Sequence, residues 1–428
     1  MEEIIISSEA IGKFVTASRP MPFFEKDTVV FGIFALILGI VFYTSSKEKF
    51  KRFYTFVPAL LICYLTPAIL RHFHLISEDH SNLYNMAKNY LLPGALVLMT
   101  LGIDFQGLKK LGWKAIAMFF TGTVGVIIGG PLAIMIMAYF SPETVGGEGY
   151  DAAWRGMSTL AGSWIGGGAN QAAMLETYQY NGDLYGRMVT VDIIVANVWM
   201  AVLLFGAGFH EKIDKWLKAD SSGIEALKKR IKDYQSSTAR NASSTDYMVI
   251  LAVAFGAVGI SHFFGDYIAQ YLSDTFGEES PFASSFLWLV VLSTTIGLAL
   301  SFSKLRSYEG AGASKIGSVF IYILVLTIGM KMDLSEAVKE PLLIIVGFIW
   351  MLIHVILMIV VAKIIKAPFF FVAVGSKANI GGAASAPVVA SAFDPSLASV
   401  GALLAILGYA VGTYGAIACA EMMHLVAP

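Results

Sequence analysis

Two glycine-rich stretches carry the residues best suited to chemistry. The first holds Ser163, Gly166, Gly167, Gly168, Asn170 and Gln171, and the second holds Ser376, Lys377, Asn379, Gly381, Gly382 and Ser385. Glycine lets a chain turn tightly and lets a ligand or another backbone approach closely. Short hydroxyl and amide side chains offer oxygens to a hard cation such as Na⁺, and hydrogen bonds to a small polar solute. Where a helix breaks at such glycines, its free N–H ends suit a carboxylate and its free C=O ends suit Na⁺. Ser163, Asn170, Asn379 and Ser385 are the candidate cation ligands. Gly166, Gly167, Gly168, Gln171, Lys377, Gly381 and Gly382 are the candidate solute-binding residues. The opposing reading is that the glycines only permit close helix packing.

Two charged residues join this set. Lys377 lies inside the second stretch, where a lone ammonium in an apolar span is costly. It can bind a substrate carboxylate, fill a would-be cation site, or reach out to the nearby surface. Asp192 follows the first stretch. It can bind Na⁺, carry a proton, or pair with Arg187. Glu176 and Asp104 read as interfacial, and His354 as a packed histidine in an apolar span. No serine-hydrolase, zinc-protease, Walker-type or paired membrane-aspartate motif is present, so the expectation is a protein that is not an enzyme and needs no organic cofactor.

The elements that position these residues must be membrane helices. Of 428 residues, 56% are hydrophobic and only 14% charged, with a mean hydropathy of +0.68. A soluble domain carries about 25% charged residues. That excludes a soluble enzyme, a nucleic-acid binder and a disordered chain, and leaves an all-α integral membrane protein. Cys63 and Cys419 both sit in apolar runs and read as small core residues. The N-terminus has no basic stretch ahead of an apolar core and does not read as a cleaved signal peptide.

A span needs about 20 apolar residues. Such segments lie near 28–45, 53–70, 85–103, 115–140, 188–209, 247–264, 283–302, 316–330, 341–362 and 398–420. The two glycine-rich runs occupy 152–176 and 368–392. Residues 211–246 differ, holding eight Lys/Arg and six Asp/Glu. They divide the chain into an N-terminal segment (1–27), a first repeat (28–210), a charged linker (211–246) and a second repeat (247–428). Within the linker, Ile224, Leu227, Ile231 and Tyr234 recur at helical spacing, as in a short amphipathic helix.

The halves resemble each other. Met99-Thr100-Leu101-Gly102-Ile103-Asp104-Phe105 pairs with Leu326-Thr327-Ile328-Gly329-Met330-Lys331-Met332. Ile165-Gly166-Gly167-Gly168-Ala169-Asn170-Gln171 pairs with Ile380-Gly381-Gly382-Ala383-Ala384-Ser385-Ala386. If both glycine runs dip into the membrane and return, the basic residues divide twenty inside to nine outside. If both cross, the division is about ten to nineteen. The excess of cytoplasmic Lys/Arg in membrane proteins favours the hairpins. The expected architecture is two inverted repeats, each with five spans and one re-entrant or broken glycine-rich helix, whose tips meet near the midplane.

The motifs at 162–174 (GSWIGGGANQAAM) and 375–387 (GSKANIGGAASAP), with 407–416 (LGYAVGTYGA), resemble the bacterial domain-of-unknown-function 819 family of membrane proteins, from about residue 28 onward. That family looks like a branch of the assembly of sodium/proton antiporters, bile-acid symporters, 2-hydroxycarboxylate transporters and sodium–glutamate symporters. The resemblance implies elevator-type alternating access in a homodimer of the bacterial inner membrane. It places the glycine tips in the moving core and the first two spans of each repeat in a scaffold. The function it implies is Na⁺-coupled, or H⁺-coupled, symport of a small polar or anionic solute. Lys377 in place of an arginine points to a monocarboxylate, amino acid or small peptide. The alternatives are an antiporter or exporter of the same fold, or, from another class, an intramembrane enzyme or non-transporting receptor.

Overall fold

The computed structural model describes residues 21–50, 53–54, 57, 59–104, 108–109, 111–220, 241–277, 283–333, 339–394 and 397–428. The amphipathic segment 224–234 lies outside them. Among the described residues every regular element is helical. The long apolar runs become α1 (Asp27–Ser45), α2 (Ala59–His72), α3 (Leu83–Met86) continued through a π-turn into α4 (Leu92–Leu101), and α5 (Trp113–Phe140). The first glycine run becomes α6 (Ala153–Gly166) and α7 (Gly168–Thr177), followed by α8 (Tyr185–Ala207) and α9 (His210–Leu217). The second half holds α10 (Ser244–Phe276), α11 (Ser285–Leu300), α12 (Ala313–Gly329) and α13 (Pro341–Ile365). Its glycine run becomes α14 (Phe369–Asn379) and α15 (Gly382–Phe393), followed by α16 (Ala398–Val426).

Six of these helices are each long and apolar enough to cross a bilayer alone: α1, α5, α8, α10, α13 and α16. This is a multi-pass membrane protein. The described edges of the linker are helical: α9 covers its start, and α10 opens on a capping box in which Ser243 and Asp246 satisfy each other's free backbone N–H.

The helices sort into two bundles. One holds α1, α2, α3–α4, α10, α11 and α12, the first three segments of each half. The other holds α5, α6–α7, α8, α13, α14–α15 and α16, the last three of each half, with both glycine runs inside it. The third segments, α4 and α12, therefore belong with the first two, and they pack against each other. The Gly102 and Gly329 motifs end these two helices. Gly329 lies against the Tyr64 backbone, where no side chain would fit.

The glycine runs fold back on themselves. A continuous helix through 153–177 would separate its ends by roughly 36 Å. Instead Asn181 N–H donates to Tyr150 O (2.9 Å), Arg155 donates to Tyr178 O (2.7 Å), and the Trp154 and Tyr178 rings meet at 5.5 Å. In the second run the Phe393 ring meets Phe370 at 5.3 Å and Phe369 at 6.0 Å. Both runs are antiparallel helical hairpins.

The hairpins open at opposite ends of the bundle. Asp214 accepts from Phe369 N–H at the base of the second, and Lys114 Nζ donates to Lys366 O there, at the start of α5. The base of the first lies past Phe140, at the far end of that 28-residue helix, some 42 Å away.

Candidate functional site

The turn of each hairpin is a glycine with a left-handed backbone: Gly167 at φ 75° and Gly381 at φ 104°. Neither α7 nor α15 has a side chain capping its first turn. Their leading N–H groups therefore have no side-chain partner within the hairpin. Both turns meet on α16. Gly408 lies against Ile165 O of the first and Ala378 O of the second, and Gly412 packs Cα to Cα on Gly166. A β-carbon at Gly408 would stand 2.9 Å from the first carbonyl and 3.3 Å from the second.

A pair of opposite charges joins the tips on a third helix, α8. Asp192 is held by the first hairpin alone. Trp164 Nε1–H donates to its Oδ1 (2.7 Å), while Ser163 Oγ–H (2.7 Å) and Gln171 Nε2–H (3.2 Å) donate to its Oδ2. Lys377, from the second hairpin, is 2% exposed and donates to Ala196 O (3.1 Å), one turn along from Asp192. Lys377 therefore points inward to α8 and does not reach the surface. Arg187 faces Glu340 instead of Asp192.

The second arm is fixed by a chain of hydrogen bonds. Trp199 Nε1–H donates to Ser376 Oγ (2.8 Å). His354 Nε2 also meets Ser376 Oγ (2.8 Å), while its Nδ1 faces Gly122 O at 3.0 Å. A carbonyl only accepts, so Nδ1 carries a proton and donates it to Gly122 O. His354 is thus the packed histidine its apolar surroundings predict.

The five candidate cation ligands do not form one cluster. Ser163 and Asp192 are bonded to each other. Asn170 donates to Gly166 O (3.1 Å) and accepts from Thr413 (2.6 Å) on α16, which in turn meets Thr294 (3.1 Å) on α11 of the other bundle. Asn379 donates to Phe119 O and Gly375 O (2.9 Å each) and accepts from Thr123 (2.8 Å). Both amides are fully buried and tie hairpin to long helix. Ser385 Oγ is buried without a hydrogen-bond partner, beside Gly381 and Lys377. Of the glycines, Gly168 is partly exposed and Gly381 exposed, while Gly166, Gly167 and Gly382 are buried. Among the described residues no three His, Cys, Asp or Glu side chains gather. A cation here would rest on hydroxyl, amide and carbonyl oxygens.

Sequence reasoning missed Trp164, Trp199, Thr123, Thr413 and Thr294. One signal was available. Gly122-Thr123-Val124-Gly125 and Gly412-Thr413-Tyr414-Gly415 repeat a Gly-Thr-x-Gly pattern, and each places its threonine on a hairpin asparagine. Glu176 and Asp104 are both buried and paired, with Lys88 (2.6 Å) and Arg306 respectively.

The sequence has counterparts among known proteins. The chain is 24% identical over 360 residues to the Uncharacterized membrane protein YjcL of Bacillus subtilis (strain 168), a match that covers 78% of this chain and 82% of that one. Residues 32–426 match the family described as Protein of unknown function (DUF819). With the match running over both bundles and both hairpins, the chain belongs to the DUF819 family.

Proposed function

We propose that this protein is a secondary active transporter. It moves a small polar or anionic solute (a monocarboxylate, amino acid or small peptide) together with Na⁺ by alternating access. The observation that carries the reading is the convergence of two oppositely opening helical hairpins on one charge pair inside an apolar bundle. Irregular backbone and charge at membrane depth are tolerated where they line a solute path. Hairpin tips with open N–H and C=O groups are the form such a path takes in inverted-repeat transporters.

In this reading each hairpin re-enters the membrane from its own side, and the two halves are inverted repeats. The bundle with the hairpins is the moving core, and the bundle of first, second and third segments is the scaffold. The linker end, rich in Lys114, Lys363 and Lys366, faces the cytoplasm of a bacterial inner membrane, and the protein works as a homodimer without enzymatic activity or organic cofactor. Asp192 attracts the cation, and the ends of the hairpins hold ion and solute together.

The test is accumulation of labelled solutes in proteoliposomes with an inward Na⁺ gradient. Uptake above equilibrium that collapses with a Na⁺ ionophore supports the reading. A proton gradient that drives uptake where Na⁺ does not replaces the ion but keeps the mechanism. No solute moving under either gradient refutes transport.

A further inference from the structure

The two tips differ in charge, and the difference names a ligand. The first tip already holds a carboxylate: Asp192 takes three hydrogen bonds from Ser163, Trp164 and Gln171. A carboxylate has about four acceptor positions, so one, on Oδ1, is unfilled. The second tip holds no carboxylate. It has the Lys377 ammonium with one of its three donors engaged, the Ser385 hydroxyl with no partner, and the uncapped start of α15. The Gly381 position, which lacks a side chain and is exposed, lies between the first two. A β-carbon there would collide with Ser385 Oγ and come within 3.2 Å of Lys377 Nζ.

We infer that the second tip is the subsite for one carboxylate of the transported solute, and that the solute is a small zwitterion whose ammonium group faces Asp192. The inference rests on the transporter reading and narrows its substrate class. Lys377 and Ser385 donate to the carboxylate, and the α15 N-terminus adds its dipole. Charge balance sets the limit. The arginines of this bundle, Arg155 and Arg187, sit at the base of the first hairpin, and Arg155 is already engaged there. A dicarboxylate would bring two negative charges to one ammonium beside Asp192. A simple amine would leave Lys377 unmatched.

The experiment is equilibrium binding to the purified full chain in nanodiscs. The probes are glycine, L-alanine and L-leucine as zwitterions, acetate as monocarboxylate, succinate as dicarboxylate, and methylammonium. At least one zwitterion binds, and by about tenfold or more over acetate, succinate and methylammonium, as expected for one added charge-assisted contact. Lys377→Gln and Ser385→Ala each weaken that zwitterion by about tenfold or more. Asp192→Asn removes the preference for the zwitterion over acetate. Ser385→Ala keeps the test decisive should Lys377→Gln fail to fold. Succinate binding as tightly as any zwitterion, unchanged affinity in Ser385→Ala, or no probe binding the wild type overturns the inference. Binding reports the subsite and vesicle accumulation reports transport, so the two readings fail separately. A zwitterion that binds without accumulating sinks the transporter, and a dicarboxylate that accumulates sinks only the subsite.

Discussion

Asn379 has both ends of its amide engaged, two donations to backbone carbonyls and one acceptance from Thr123. That makes it a strut between α14 and α5. Asn379→Ala strands buried carbonyls and lowers stability by about 1–3 kcal/mol. Asn379→Asp places acceptors against acceptors and buries a charge, so its melting temperature falls further still. A cation ligand would show the reverse order, since Asp binds Na⁺ at least as well as Asn. Ser376 is the hub of the Trp199–Ser376–His354 chain. Ser376→Ala leaves an indole N–H and an imidazole nitrogen without partners, again at about 1–3 kcal/mol. Thermal unfolding of the purified variants checks all three.

The hairpins were legible as elements because two properties coincide in them. Runs of roughly 24 residues are too short to cross and return at full depth, and glycine at their midpoints removes the penalty on left-handed backbone. Gly167 and Gly381 adopt that backbone. The partners of the tips were less legible, because they come from distant segments. Asp192 was singled out by its charge. Trp164 looked like one more apolar residue, and Thr413 like filler in a long apolar helix. The candidate cation ligands have different partners, since type and spacing do not show which amide already has hydrogen bonds within the protein. Two glycines in one tip separate the causes. At Gly167 an added β-carbon meets nothing closer than 3.7 Å, so Gly167→Ala costs only its backbone strain, about 1–3 kcal/mol. At Gly166 it would run into the Asn170 amide and the Gly412 backbone. Gly166→Ala is expected to be the more damaging in thermal unfolding. Equal or reversed losses would contradict the close seating of α6 on α16.

At the scale of the molecule, the two bundles touch through polar contacts midway along α11 and α16, where Thr294 meets Thr413 and Thr295 meets Tyr414, and at one end. Lys88 of the α3–α4 turn pairs with Glu176 of the first hairpin (2.6 Å), Arg71 with Asp183 (2.8 Å), and Tyr64 with Tyr185 (3.4 Å). Alternating access by bundle movement requires these to part. The ends of the fold can be assigned by labelling. Cysteines at the exposed positions Tyr150 and Lys218 lie at the bases of opposite hairpins, and are expected to react with an impermeant thiol reagent from opposite faces of the membrane. Labelling of both from one face would contradict the opposed hairpins. The central claim is that solute moves because one bundle moves against the other. Its most direct measurement is gradient-driven uptake by the Lys88→Cys, Glu176→Cys double variant joined by a short methanethiosulfonate crosslinker, with the native Cys63 and Cys419 buried. The account predicts that uptake stops on crosslinking and returns on reduction, while each single variant treated alike keeps transporting. Full uptake in the crosslinked protein would contradict it.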